Sequence, residues 1–179
     1  MNYATPDLEY RKFIPEIPAV TTLTTATRFL IEGKYFSFSS RFSIPAGQSV
    51  YFMGVTNSHR VFFESFNVTS NTSAELRVDF FEAPTTTADG TAQTPINRNR
   101  PSSEVATMLL YSGPTVTADG TGLFTTSMFG TNQTANGNAT MPQPFMLKTA
   151  TKYVFKITNT HGSSVDVSAN FFWYETQTL

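Results

Sequence analysis

The sequence predicts an all-β domain: a jelly-roll-like β-sandwich of about eight antiparallel strands, preceded by an extended N-terminal arm. Three observations carry this expectation. Apolar and polar residues alternate in run after run, which is the two-residue period of a half-buried strand. Turn residues (Pro, Gly, Asn, Asp) separate the runs at regular spacing, as in sandwiches and barrels. No segment holds a 3.6-residue apolar period over three turns.

The elements follow in order. Residues 1–20 read as an extended arm, because Pro6, Pro15 and Pro18 fix φ and withhold backbone donors. Tyr3, Leu8, Tyr10, Phe13 and Ile14 make it adhesive. It is either a frayed terminus or a segment that docks on a neighbouring subunit. Residues 21–179 then form one sandwich domain. Thr21–Ile31 is ambiguous, and its threonines favour strand over helix. Lys34–Ile44 alternates cleanly, with Phe36, Phe38, Phe42 and Ile44 on one face and Tyr35, Ser37, Ser39, Arg41 and Ser43 on the other. A Pro45-Ala-Gly-Gln48 turn leads to a strand at Ser49–Thr56. His59–Val68 sets Val61, Phe63 and Ser65 opposite Phe62, Glu64 and Phe66. Ala74–Glu82 places Leu76, Val78 and Phe80 inward. Residues 104–112, 122–129 and 145–149 are shorter candidates. Lys152–Thr158 and the set Val165, Val167, Ala169, Phe171 and Trp173 close the chain, with Trp173 in the core and Phe172 and Tyr174 facing out.

Composition bounds the function. With 179 residues the chain can bury a sizeable core, and 17 Phe supply its anchors. No cysteine is present, which removes disulfides and thiolate metal sites. The net charge of −1 offers no basic stripe for nucleic acid. Charged residues are only 14%, and Thr, Ser and Asn (29, 16 and 11) take their place on strand surfaces. No apolar run spans a membrane, and residues 1–19 lack the layout of a signal peptide, so we expect synthesis in a cytoplasm and no membrane partner.

Catalytic constellations are not evident. His59 and His161 stand apart from any ligand spacing, so neither metal nor cofactor is expected. There is no Gly-x-Ser-x-Gly elbow, and Gly130–Gly137 lacks the lysine of a phosphate loop. Glu64, Asp79 and Glu82 would serve a glycosidase if they converged, but pairing of Glu64 and Asp79 with Arg60 and Arg77 on a solvated face is the simpler expectation. Thr87-Ala-Asp-Gly-Thr91 recurs as Thr117-Ala-Asp-Gly-Thr121, which predicts two turns of one kind rather than calcium loops. Asn67, Asn71, Asn132 and Asn138 head glycosylation patterns that an Asn/Thr-rich chain produces by chance. Arg98 and Arg100, in Asn97-Arg-Asn-Arg-Pro-Ser-Ser103, are the one compact basic spot. They form either a solvated loop or, if extended, a clamp for a partner's carboxylate. The chain is therefore expected not to be an enzyme.

Several stretches carry a resemblance: Glu32-Gly-Lys-Tyr-Phe36, the Asn97–Ser103 run, Gly113-Pro-Thr-Val-Thr117, Tyr153-Val-Phe-Lys-Ile-Thr-Asn159 and Phe172-Trp-Tyr-Glu175. Across roughly residues 32–175 the chain resembles small β-rich virion proteins of tailed bacteriophages. That resemblance implies a capsid decoration or cement protein, a homotrimer or other symmetric oligomer, which clamps neighbouring major capsid subunits. The alternative is a tail-fibre or baseplate module that binds a receptor or glycan through loops at 85–94, 115–122 and 130–140. Under the first reading Tyr3, Leu8, Tyr10, Phe13, Ile14, Arg98 and Arg100 make the contacts.

Overall fold

The computed structural model describes residues 24–70, 75–129 and 144–176. The predicted arm, the polar loop at 130–140 and the patterns at Asn71, Asn132 and Asn138 lie outside the described residues. Among those described are one helix, α1 (Thr25–Ile31), and thirteen strands. The long strands are β1 (Tyr35–Ile44), β2 (Ser49–Val55), β3 (Arg60–Ser70), β4 (Glu75–Glu82), β10 (Thr121–Phe129), β12 (Lys152–Asn159) and β13 (Val165–Thr176). The short ones are β5 (Thr85–Ala88), β6 (Thr91–Gln93), β7 (Ile96–Asn97), β8 (Leu109–Ser112), β9 (Thr115–Ala118) and β11 (Phe145–Leu147). Two antiparallel sheets pack as a sandwich, ordered β11-β3-β13-β1-β7 and β10-β4-β12-β2-β8-β6, and β5 and β9 form a separate ribbon. The expected all-β sandwich is what forms.

Phenylalanine fills the interface. Phe38, Phe63, Phe66 and Phe171 from the first sheet meet Phe52, Phe80 and Phe155 from the second. Cross-sheet rings stand at 4.8 Å (Phe63–Phe155), 5.0 Å (Phe155–Phe171) and 5.3 Å (Phe52–Phe171), within the range where tilted pairs attract. Trp173 is fully buried, as its parity with Val165 and Val167 requires.

Four expectations are corrected. Thr25–Ile31 is helical, within the stretch where strand was favoured. Thr24 caps it by accepting from the Thr27 amide at 3.2 Å, and Arg28 pairs with Glu32 at 2.9 Å, so this threonine serves as a cap rather than a strand residue. In β3 the alternation slips at a bulge. Ser65 pairs with Phe172 but Phe63 pairs with Trp173, leaving Glu64 as the extra residue, so Phe66 and Val68 point inward with Val61 and Phe63. Only Leu109–Ser112 of the 104–112 candidate is strand. Finally, Tyr174 is buried on the outer face, because α1 lays Phe29 on it at 4.4 Å and Phe62 stacks beside it at 4.9 Å.

The sequence echo is the visible part of a pseudo-two-fold arrangement. It extends to Ala83-Pro-Thr-Thr-Thr-Ala-Asp-Gly-Thr91 and Gly113-Pro-Thr-Val-Thr-Ala-Asp-Gly-Thr121. Glu82 pairs with Tyr153 as Ser112 pairs with Phe52, and Thr121 pairs with Glu82 as Thr91 pairs with Ser112. The Ala83 amide donates to the Lys152 carbonyl at 2.8 Å as the Gly113 amide donates to that of Tyr51 at 3.0 Å. The Met53–Val154 pair sits at the centre. Each copy leaves its strand, crosses as β5 or β9, turns at Asp-Gly and re-enters the sheet beside the other copy. The Asp-Gly steps are therefore alike, as expected, but they are bends between sheets rather than hairpin tips. Met53 and Val154 face away from the core yet are fully buried, because the β5–β9 ribbon covers that face. Lys152 reaches Thr86 at 2.8 Å and Asp89 at 2.6 Å, and Lys156 reaches Asp119 at 2.8 Å.

Candidate interaction surface

The segment from Ile96 to Met108 links β7 to β8 and is held by its own polar side chains. The Asn97 amide donates to the carbonyls of Gly33 (2.7 Å) and Glu104 (2.8 Å), and its oxygen accepts from the Asn99 amide N–H at 2.9 Å. Asn99 donates to the Ile31 carbonyl at 2.9 Å, tying the segment to the end of α1. Gly33 adopts φ +71° directly against Ser102, where a Cβ would lie 2.2 Å from its hydroxyl. At the far end Glu175, 3% exposed, accepts from the backbone amides of Thr107 (2.7 Å) and Met108 (3.1 Å), from the Thr107 hydroxyl, and from Trp173 Nε1 (2.9 Å). A buried carboxylate thus meets four donors, which offsets its desolvation.

On this scaffold lies a groove of about 480 Å³ between β6, β7 and β8. Ile96, Val105 and Leu109 line it and are 50%, 78% and 54% exposed. These are three of the six exposed large apolar side chains among the described residues. Arg100 and Glu104 supply its charge. The predicted Arg pair does not form one clamp. Ser102 N–H bonds the Asn99 carbonyl at 3.0 Å, so the segment turns where an extended run was required. Arg98 lies over the Phe172 ring at 5.6 Å, while Arg100 lines the groove. Neither forms a salt bridge among the described residues.

The three carboxylates weighed for hydrolysis are dispersed. Glu64 accepts from the Tyr35 hydroxyl on the outer face of the first sheet, rather than pairing with Arg60. Burial, then this bond, pushes the Tyr35 phenol above its ordinary range. Asp79 pairs with Arg77 at 2.9 Å as expected and also accepts from Thr125. Glu82 binds Lys148 at 2.6 Å and Tyr153 at 2.9 Å, and Lys148 chiefly holds its carboxyl below the usual range. His59 precedes β3 and His161 bonds Ser163 at 2.9 Å in a turn. Among the described residues no group of three His, Asp or Glu is placed to hold a metal ion. The segments at 85–94 and 115–122, considered as free glycan loops, are largely strand and fastened by Lys152 and Lys156.

The groove residues Ile96, Val105 and Leu109 were not singled out from sequence. Val105 and Leu109 fell inside the 104–112 strand candidate, where alternation would have buried every second residue. Comparison with protein-family models, with curated proteins and with solved structures finds no match to the chain.

Proposed function

We propose that the chain is a virion structural protein of the capsid decoration type, which stabilises a head by bridging major capsid subunits and further copies of itself. The observation that carries the proposal is the groove: three exposed apolar side chains and an arginine that forms no salt bridge among the described residues, on a segment fastened at both ends. Pre-organisation of this kind lowers the ordering cost of binding, and exposed apolar clusters mark contact surfaces. A stiff aromatic core suits a load-bearing shell part. Strand order supports the jelly-roll form. Numbering β1, β2, β3, β4, β10, β11, β12 and β13 one to eight, the first, eighth, third and sixth share one sheet and the second, seventh, fourth and fifth the other.

Several such contacts per oligomer, each weak, would add through avidity. The arm residues Tyr3, Leu8, Tyr10, Phe13 and Ile14 supply further anchors. The test is antibody labelling of intact particles. Label spread over the head supports the proposal. Label confined to the tail overturns it and favours the receptor-binding alternative.

A further inference from the structure

The edge of β1 is largely unpaired. β13 pairs along its whole length on one side, from Tyr35 to Ile44. On the other side β7 covers only Phe36 and Ser37. From Phe38 to Ser43 the outer edge has no partner strand among the described residues. Such an edge is a template for strand addition, and proteins normally cover it. Its side chains are also unfinished. Phe42 and Val50 are only partly buried at the rim of the core, and Arg41 is exposed, with no salt bridge among the described residues.

One segment of this chain fits that edge. Asp7-Leu-Glu-Tyr-Arg-Lys-Phe-Ile14 lies between Pro6 and Pro15 and contains no proline, so every residue in it can donate to a ladder. It is eight residues long, enough to cover the six from Phe38 to Ser43. Period-two alternation would place Leu8, Tyr10, Lys12 and Ile14 on one face, three of them apolar and able to continue the core past Phe42, and Asp7, Glu9, Arg11 and Phe13 on the other, where the two acids would meet Arg41. In the sequence Pro15-Glu-Ile-Pro18 follows, and two prolines at that spacing restrict the backbone, which disfavours a tight return onto the donor's own β1.

We infer that residues 7–14 of one copy add as a strand to the free edge of β1 in a second copy. This inference rests on the self-association within the proposed function, but not on a capsid. Reciprocal exchange pairs both edges and closes the assembly, as symmetric oligomers require.

The cysteine-free chain permits a clean test. Full-length protein carrying only Ser39→Cys is mixed with protein carrying only Asp7→Cys, Glu9→Cys or Arg11→Cys, then oxidised. A disulfide between two different single-cysteine chains arises only in trans. Mixed dimers are expected at least about five-fold more abundantly than with Leu8→Cys or Tyr10→Cys, whose side chains point to the opposite face. Tyr10→Pro added to the Glu9→Cys chain should abolish them, while the thermal melt of the body stays unchanged. Equal cross-linking at all five positions, or none, overturns the inference. So does a doubly substituted Ser39→Cys/Glu9→Cys chain that cross-links only within itself. Cross-linked dimers that fail to bind particles would leave strand exchange standing and overturn the decoration proposal instead.

Discussion

Glu175 is the side chain on which the groove scaffold most depends. Replacing it with alanine leaves three N–H donors, those of Thr107, Met108 and the Trp173 indole, buried without their acceptor. Each orphaned donor costs about 1–2 kcal/mol, so Glu175→Ala should destabilise the fold by roughly 3–6 kcal/mol. That is a large share of the 5–15 kcal/mol typical of a domain, and corresponds to a fall in Tm on the order of 10 °C. Glu175→Gln keeps the volume but presents an amide N–H₂ to donors that one carboxylate oxygen accepted, and should lose about 2–3 kcal/mol. Thr107→Val removes only the hydroxyl and should cost about 1 kcal/mol. Urea melts give the free energies. Amide exchange at Thr107 and Met108 should accelerate more than exchange in β12, because the groove segment loses its anchor first. A loss below about 1 kcal/mol for Glu175→Ala, or unchanged exchange at Thr107, would refute the reasoning, since it would mean water satisfies those donors without cost.

Three further outcomes follow from the geometry. Burial pushes the Tyr153 phenol up to about 12 from its ordinary 10, so its contribution to stability is complete below pH 10 and lost as pH rises toward 12; alkaline melts of Tyr153→Phe should lose less stability across that window than the parent. Thr24→Ala should cost about 1 kcal/mol by removing the cap of α1, read as a lower melting temperature with the far-UV strand spectrum retained. Gly90 and Gly120 adopt φ +88° and +87°, and a Cβ on either would lie 2.4 Å or 2.3 Å from the backbone of the opposite copy, so Gly90→Ala and Gly120→Ala should each cost at least about 2 kcal/mol. Their double mutant should lose less than the sum, because each glycine docks on the segment that the other positions; strict additivity in thermal melts would argue against a coupled ribbon.

The strands were legible where one face is buried and the other wet. Over most of β1 and β13 apolar residues recur at every second position, and parity alone placed Phe36, Ile44, Phe171 and Trp173 in the core. The same parity extends from Trp173 to Glu175, so a buried carboxylate was readable in principle; a lone acid among aromatics carries no mark of the four donors that come from elsewhere in the fold. Glu64 hid the bulge of β3, since an inserted residue reverses parity without changing composition. Phe29 and Thr24 show a tertiary override. The threonine-rich stretch forms a helix because its start is capped and its Phe29 has Tyr174 to cover. The echo at Asp89 and Asp119 was visible, but not its consequence, because pairing between β5 and β9 joins residues about thirty apart in sequence and depends on where β4 and β8 end. At the candidate site Arg98 and Arg100 were found as residues. Their divergence was not, because it follows from the turn at Asn99–Ser102.

The two open features share one flank. β1 and β7 end the first sheet, β8 and β6 end the second, and the groove lies between these ends. Over Met53 and Val154, the outer face of the second sheet is already closed by the β5–β9 ribbon. Over Tyr174, the outer face of the first is closed by α1. Among the described residues the sandwich covers Met53, Val154 and Tyr174 on its outer faces with its own chain, yet leaves Ile96, Val105 and Leu109 exposed beside a strand with one open edge, which gathers three of the six exposed large apolar side chains on one flank. Burying that flank against a partner gains apolar area and backbone hydrogen bonds together, with little ordering cost in a segment that Asn97 and Glu175 already fix. Association should therefore be directional: copies or partners join along the β1–β6 flank, and substitutions such as Val105→Asp or Leu109→Asp should weaken assembly while leaving the core intact.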